Sequence, residues 1–260
     1  MTAYEKVMAS RDANKLTTVD YISHMFGDSF FELHGDRRFS DDKAVVAGIA
    51  MLHNMPVTVI GLEKGRNTKE RMERNFGQAH PEGYRKALRL MKQAEKFRRP
   101  VLCFVDTSGA YPGIGAEERG QGLAIAENLM EMIALKTPVL TIVIGEGESG
   151  GALGLAVADE VWMMENSVYS AISPEGCASI LWKDSKKAPE AAEALKLTAQ
   201  DLFELGVIER IIREPKADNG AMFESLKLLI ERTFEKNLAL TDEELTTARY
   251  ERFRRIGTNL

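Results

Sequence analysis

The 260-residue chain is long enough for one large α/β core. Its composition, 44% hydrophobic and 28% charged residues with a formal net charge of −5, is that of an ordinary globular protein and disfavours a global role in nucleic-acid binding. The first residues, MTAYEKVMASRD, lack the apolar segment of a secretion signal, and no apolar run approaches the ~18 residues of a membrane helix, so we expect a cytoplasmic protein without membrane association.

The first strongly patterned region predicts a hairpin followed by a helix. Two apolar, β-branched runs in DKAVVAGIAMLHNMPVTVIGLEKG flank His53-Asn54 and predict antiparallel strands that end near Gly61. Residues 64–75 have no strong apolar period and predict an exposed loop or short helix. An amphipathic helix is predicted from Pro81 to Phe97, because one helical face carries Tyr84, Ala87, Leu88, Met91 and Ala94.

Strands and helices then alternate, which predicts a mainly parallel sheet covered by helices. The predicted elements are a strand in PVLCFVDTSG, a helix from about Ala116 to Leu135, a strand in PVLTIVIG, a short helix from Gly150 to Ala158, strands in VWMM and VYSAIS, and a helix opened by Ser173-Pro174-Glu175.

The C-terminal part is predicted to be mostly helical. APEAAEALKLTAQDLFELGVIERII gives two short helices, the second capped by Thr198 and stopped at Gly206, and then a strand to Ile212. Two helices follow, the last opened by a capping box of Thr241 and Glu244. The apolar stripe of the first suits packing either on this chain or on a partner; it comprises Leu226, Leu229, Ile230 and Phe234.

We expect residues 1–260 to form a single domain. It has a helical lead-in at about 1–40, a core at about 41–213 and C-terminal helices at about 219–256. Cys103 and Cys177 lie far apart in apolar or small-residue surroundings, without the spacing of a zinc site or disulfide framework. We therefore predict two buried thiols and no metal site.

The stretch TIVIGEGESGGALGLAVADEVWMMEN admits three chemical interpretations. Gly145-x-Gly147-x-x-Gly150 fits a dinucleotide fingerprint, but the helix after it is short and the motif lies mid-chain. Gly147-x-Ser149-x-Gly151 fits a nucleophile elbow, yet all four histidines precede Ser149, which excludes the hydrolase order of serine, acid and histidine. A serine–lysine dyad stays open.

The third interpretation is an oxyanion-binding turn. Gly150 and Gly151 follow a strand and offer unobstructed N–H groups at a helix start. An upstream turn, DTSGAYPGIGAEERG, presents the N–H groups of Gly109 and Ala110 in the same way. Two such turns at neighbouring strand ends make an oxyanion hole; the alternative is that the glycines only permit tight turns between strand and helix.

Several long segments together resemble the carboxyltransferase alpha subunit of bacterial acetyl-CoA carboxylase. They are GDRRFSDDKAVVAGIA, EKGRNTKERMERNFGQAHPEGYRKALRLMKQAEKF, FVDTSGAYPGIGAEERGQG, GEGESGGAL and SPEGCASILWK, and the likeness spans roughly Asp20 to Arg213. The family implies an α/β crotonase (ClpP-like) fold of repeated ββα units with a mainly parallel sheet and flanking C-terminal helices.

The resemblance also implies the reaction. Carboxybiotin on a separate carrier protein gives its carboxyl group to acetyl-CoA, forming malonyl-CoA for fatty acid biosynthesis. Backbone N–H groups of Gly109, Ala110, Gly150 and Gly151 would stabilise the biotin ureido oxyanion, and the adjoining substrate-binding turn would comprise Tyr111, Pro112 and Gly113. Two departures from the family pattern lie at this site: Ser108 stands where proline is usual, and Glu148 where glycine is usual.

The implied partners are a zinc-ribbon carboxyltransferase beta subunit, the biotin carboxyl carrier protein and biotin carboxylase. The resemblance implies a heterotetramer of two alpha and two beta chains. The chain lacks a biotin-attachment motif and a phosphate-binding loop, so biotin and the use of ATP belong to other subunits. The alternatives are a stand-alone crotonase-fold CoA hydratase, isomerase or hydrolase, or a non-catalytic paralogue that only binds the beta subunit.

The segment from Lys64 to Arg99 is strongly basic, with twelve Lys and Arg against four Glu, a local charge of about +8. One interpretation is an anion-facing wall near the CoA phosphates or the carrier protein, with Lys64, Arg66 and Lys69 as contributors. The other is a solvated helix face. No nucleic-acid-binding motif accompanies the charges.

Overall fold

A computed structural model describes residues 1–214 and 219–258. Its helices are α1 Ala3–Ser10, α2 Thr18–Phe26, α3 Thr68–Glu73, α4 Pro81–Lys96, α5 Ile114–Glu118, α6 Gln121–Ile133, α7 Ser149–Leu153, α8 Pro174–Trp182, α9 Ala188–Leu195, α10 Ala199–Glu204, α11 Asn219–Leu238 and α12 Asp242–Arg255. Its strands are β1 Phe31–Glu32, β2 Val45–Leu52, β3 Met55–Leu62, β4 Val101–Thr107, β5 Val139–Glu148, β6 Glu160–Met164, β7 Val168–Ser170 and β8 Arg210–Ile212.

The eight strands form one sheet in the order β1-β2-β3-β4-β5-β6-β8, with β7 paired to the end of β5. β1, β2 and β3 are antiparallel, and every later pairing is parallel. The predicted hairpin is confirmed, with His53 in the left-handed region at its turn. Because β4 and β5 are parallel neighbours, their carboxyl ends and the turns that follow lie side by side.

The sheet separates two apolar cores. Strand side chains on one face pack with α4 and α6, as Val101, Cys103 and Val143 do. On the other face Leu102, Phe104 and Ile142 pack with α2 and α11. Alternate residues of β4 and β5 enter opposite cores, as expected for strands covered on both sides. Both predicted thiols are confirmed as buried and free.

The structure differs from three predicted boundaries. The helix predicted from Ala116 to Leu135 is divided into α5 and α6, because Gly120 adopts a left-handed conformation with φ of 83°. β5 runs three residues beyond its predicted end, since Glu146 to Glu148 pair with β7. The short helix after it begins at Ser149 and ends at Leu153, earlier than predicted.

The C-terminal helices pack on this chain. On α11, Leu226, Ile230 and Phe234 are buried in the core that contains α2, and Leu229 is partly buried against it. The stripe left open by the sequence is therefore intramolecular. Across residues 1–214 and 219–258, no helix is long and apolar enough to cross a membrane.

A buried arginine attaches α12 to the sheet and should be irreplaceable even by lysine. Arg249 is fully buried and donates to both Asp159 carboxylate oxygens at 2.8 and 3.0 Å, and also to the carbonyl oxygens of Met132, Leu135 and Thr137. An ammonium group cannot reproduce that planar set of donors. We expect Arg249→Lys to lower the free energy of unfolding by about 3 kcal/mol in urea titrations, and the exposed Arg254→Lys to leave it unchanged.

Candidate functional site

The two predicted glycine turns touch each other. Gly109 has a φ of 128°, which L side chains rarely adopt. A Cβ atom on Gly151 would lie 2.4 Å from the carbonyl carbon of Gly109 and 2.5 Å from the nitrogen of Ala110. The start of α7 therefore approaches the first turn so closely that no side chain fits between them.

The backbone donors of the two turns are not equivalent. The N–H of Gly109 donates to Thr107 Oγ1 at 3.1 Å, and that hydroxyl donates back to the Gly109 carbonyl oxygen at 2.7 Å. The Ala110 N–H has no acceptor within the described part of the chain. Gly150 and Gly151 lie in the first turn of α7, where N–H groups lack intrahelical partners, and no side chain caps that end.

This geometry corrects one predicted donor. In this structure the Gly109 N–H is satisfied by Thr107, so the hydroxyl shapes the turn and Gly109 supplies the conformation that only glycine adopts easily. The available donor is the next residue, Ala110. The sequence signal for the difference is Thr107 itself, whose side chain can bond to the backbone two residues on.

The rest of the first turn is fixed by packing and hydrogen bonds. Tyr111 stacks on His80 with ring centroids 4.1 Å apart and donates its N–H to the Ala79 carbonyl oxygen. Gln121 Nε2 bridges the carbonyl oxygens of Ala79 and Tyr111 at 2.8 and 2.9 Å. A Cβ on Gly113 would lie 2.3 Å from the Tyr111 ring, so that ring closes over the glycine.

An apolar depression of about 360 Å³ adjoins the second turn. It is lined by Ser149, Gly150, Leu153, Tyr169, Ser170, Ala171, Leu202 and Val207. A concave and mostly apolar surface with a few convergent polar groups is typical of a small-molecule site. The N–H groups at the start of α7 lie at its edge.

Ser149 has no base within reach. Among the described residues, none of the four histidines contacts it: His24 stacks on Phe223, and the other three face carboxylates. Its hydroxyl makes no hydrogen bond to lysine. The nucleophile interpretation is therefore disfavoured, as is the dinucleotide one, because α7 spans only five residues.

Below the turns, on the α2 side of the sheet, lies a charged cluster that the sequence interpretation missed. Lys64 Nζ pairs with Asp106 Oδ1 at 3.1 Å and also with Glu146, and Arg11 pairs with Glu146 at 2.5 Å and Glu175 at 2.8 Å. Burial opposes ionisation of Glu146, but Lys64 and Arg11 outweigh it and hold the pKa of that carboxyl below its usual value. The available signal was the placement of Asp106 and Glu146 at the ends of apolar strands.

Lys64 does not form the predicted wall with Arg66 and Lys69. Its ammonium group is paired with two buried carboxylates, whereas Arg66 is half exposed and pairs with Asp20. Lys69 is exposed. Much of the basic segment is neutralised by acids from elsewhere in the chain, for example Arg85 by Asp36, Lys86 by Asp41 and Lys92 by Glu131.

Glu148, one of the two departures from the family pattern, points into the same charged cluster. Its carboxylate lies 3.7 Å from Arg11 Nη2 and is nearly buried. Burial, reinforced by the charge of Glu146, raises the pKa of Glu148 to about 7. Ser108, the other departure, accepts a hydrogen bond from Gln78 Nε2 at 3.1 Å.

The raised pKa predicts a pH-dependent effect of Glu148→Gln. Below pH 4.5 the carboxyl is protonated in both folded and unfolded chains; as pH rises to about 7, only the unfolded chain ionises readily, so the wild type loses stability. One pKa unit corresponds to about 1.4 kcal/mol. At pH 8 the free energy of unfolding of the glutamine variant should therefore exceed that of the wild type by about 3 kcal/mol. Near pH 4.5 the two proteins should be equally stable. Thermal unfolding across this range tests it; a constant difference would contradict it.

Comparisons with known proteins agree over nearly the whole chain. A family model described as acetyl co-enzyme A carboxylase carboxyltransferase-like matches residues 1–257. The acetyl-coenzyme A carboxylase carboxyl transferase subunit alpha of Ruminiclostridium cellulolyticum is 62% identical over 99% of this chain and 98% of its own length. The protein of that name from Bacillus cytotoxicus is 58% identical over 99% of this chain and 80% of its own.

Solved structures show the same fold at low identity. Transcarboxylase 12S, with methylmalonyl-coenzyme A and methylmalonic acid bound, has a TM-score of 0.70 at 17% identity over 86% of this chain and 43% of that one. A Pseudomonas malonate decarboxylase hetero-tetramer in complex with coenzyme A has a TM-score of 0.70 at 16% identity over 90% and 95%. The predicted α/β crotonase-like fold is confirmed.

Proposed function

The chain belongs to the acetyl-CoA carboxylase carboxyltransferase family, and from that premise we propose that it is the alpha subunit that transfers a carboxyl group from carboxybiotin to acetyl-CoA, giving malonyl-CoA for fatty acid biosynthesis. The observation that carries the proposal is the close contact between the two glycine turns, where the Ala110 N–H has no acceptor among the described residues. We propose a cytoplasmic location, which is consistent with the family.

The described residues suit the head group of biotin. The free Ala110 N–H is a donor that needs an acceptor such as a ureido oxygen, and the apolar depression beside α7 gives the rings a surface to lie on. Bound carboxybiotin supplies the carboxyl group that is transferred. Tyr111, Pro112 and Gly113 form the wall of the first turn on this proposal.

The role of this chain is electrostatic. Ala110, Gly150 and Gly151 point fixed N–H dipoles toward the ureido oxygen, whose negative charge grows as the carboxyl group leaves. These donors are held in place before the reaction by Thr107, Tyr84 and the packing of Gly151, so no reorganisation is required. Tyr84 Oη contributes by donating to the Gly151 carbonyl oxygen at 3.3 Å.

The proposal assigns the remaining functions to partners. A zinc-ribbon beta subunit would hold acetyl-CoA, a carrier protein would bring biotin, and biotin carboxylase would use ATP. In the described ranges, no cluster of three or more His, Cys, Asp or Glu could hold a metal. Residues 1–260 would act as a single carboxyltransferase domain within an assembly of two alpha and two beta chains.

A stand-alone CoA hydratase, isomerase or hydrolase fits less well. Such an enzyme needs its own acid or base facing the thioester. Glu117 and Glu118, the first carboxylates that follow the turn along the chain, are exposed on α5, and Asp106, which precedes it, is paired with Lys64. The non-catalytic alternative is not favoured by Glu148, because its carboxylate lies beside Arg11 in the charged cluster.

The experiment is the reverse reaction, carboxyl transfer from malonyl-CoA to biocytin, with this chain alone, its cognate beta subunit alone, and both. We expect turnover only in the mixture. Co-purification of the two subunits without turnover would support the non-catalytic alternative, and turnover by this chain alone would refute the shared site.

A further inference from the structure

A partly open pocket lies beside the charged cluster, on the α2 side of the sheet. Its volume is about 210 Å³, and its wall is formed mainly by the segment between α1 and α2, the residues after β3, and the ends of β4 and β5. The charged side chains in that wall are Arg11, Asp12, Lys15, Lys64, Arg71, Asp106 and Glu146. The proposed biotin site uses none of them.

One of these side chains is a buried cation without a partner. Lys15 Nζ is inaccessible to solvent and has no hydrogen-bond partner among residues 1–214 and 219–258. Burial lowers the pKa of Lys15, while Asp106, Glu214 and Glu146 act on it in the opposite direction through space. No carboxylate oxygen of the described residues lies within 4.0 Å of it. A buried ammonium group left in this state is costly.

Most of the other charged side chains of the wall form ion pairs within the chain. Lys64 and Arg11 neutralise Asp106 and Glu146. Asp12 accepts from the backbone and side-chain amides of Asn14. Arg71 has no ion pair in the described structure; its Nε donates to the Gly65 carbonyl oxygen at 3.2 Å. Among the described residues, the charged groups of the wall that lack an ion pair are thus Lys15, Arg71 and Asp12. Asp12 is exposed, so water screens its negative charge, whereas Lys15 and Arg71 are the less exposed, positive groups.

The size of the cavity limits what can neutralise them. Sites for drug-sized ligands occupy about 300–1,000 Å³, so a whole acyl-CoA is too large for this pocket. A volume of 210 Å³ holds a few water molecules or one small oxyanion. An oxyanion can accept from an ammonium and a guanidinium group at once.

We propose that this cavity is a binding site for one small oxyanion, of the size of phosphate, bicarbonate or a short carboxylate, held between Lys15 and Arg71. The site lies on the face of the sheet opposite α7, and among its lining residues only Ser108 belongs to the first turn. The bound anion completes the charge balance of the cluster beneath the first turn and stabilises the folded chain.

The test is to titrate the 260-residue chain with inorganic phosphate or with acetate at constant ionic strength. Calorimetry measures the binding, and thermal unfolding measures the change in Tm. We expect saturable binding of one anion and a rise in Tm. Phosphate tests whether the site takes a tetrahedral oxyanion, and acetate tests whether it takes a carboxylate. Saturable binding of either anion supports the site. No saturable binding of either anion would overturn the proposal.

Two variants make the test specific. Lys15→Met and Arg71→Gln should each weaken binding at least tenfold, while Lys186→Met, which removes an exposed lysine, should leave it unchanged. In anion-free buffer Lys15→Met should be no less stable than the wild type, because it removes an unpaired buried charge. Binding that survives both Lys15→Met and Arg71→Gln would refute the assignment, and Arg71→Gln alone decides it if the first variant does not fold.

Discussion

Gly151→Ala is expected to reduce carboxyl transfer by about 100-fold while leaving the chain folded and assembled. The added methyl group would lie 2.4 Å from the Gly109 carbonyl carbon, whereas ordinary contacts begin near 3.4 Å. The first turn and α7 must therefore separate by roughly 1 Å, and a displacement of that size at a catalytic site costs about two orders of magnitude. The measurement is kcat of the assembled enzyme.

The matched control is Gly122→Ala. Gly122 lies on α6, and a Cβ there meets no atom within 4 Å, so its kcat should equal that of the wild type. Size-exclusion chromatography establishes that both variants still assemble. Wild-type kcat in Gly151→Ala would show that the distance between the two turns does not matter to the reaction.

Lys64→Met is expected to lower the free energy of unfolding by about 3–5 kcal/mol. The substitution leaves Asp106 without its cation and Glu146 with only Arg11, and removing one partner of a buried ion pair typically has this cost. Because the pKa of Glu146 is lowered in the folded chain, the stabilisation is present above its unfolded pKa and is lost as pH falls. Urea unfolding at neutral and acidic pH measures both effects.

Lys69→Met is the control for charge and side-chain length. Lys69 is exposed and makes no ion pair among the described residues, so its removal should change the free energy of unfolding by no more than about 0.5 kcal/mol. Equal stability of the Lys64 and Lys69 variants would mean that Lys64 is not a structural cation, and would restore the interpretation of it as part of an anion-facing wall.

The sequence predicted the fold well where a local signal determines the structure. The hairpin at His53, the helix from Pro81 and the capping box at Thr241 all formed as expected, because turn residues, a proline at the first helical position and a capping pair act within a few residues. The proximity of the two glycine turns also followed from sequence, since parallel neighbouring strands end at one edge of the sheet.

The sequence could not show how charges pair across the chain. Lys64 and Arg66 are two residues apart, yet one is buried between strand ends and the other is half exposed. The difference arises because Asp106 and Glu146 reach Lys64 only after β3, β4 and β5 align. The end of β5 was also missed, because its last residues depend on pairing with β7.

The most direct test of the oxyanion assignment is a structure of the assembled enzyme with biocytin bound. We predict a ureido oxygen about 2.7–3.1 Å from the Ala110 nitrogen, beside the first turn of α7. A ureido oxygen held by side chains of either subunit, with the Ala110 N–H bonded to water or left unused, would contradict it.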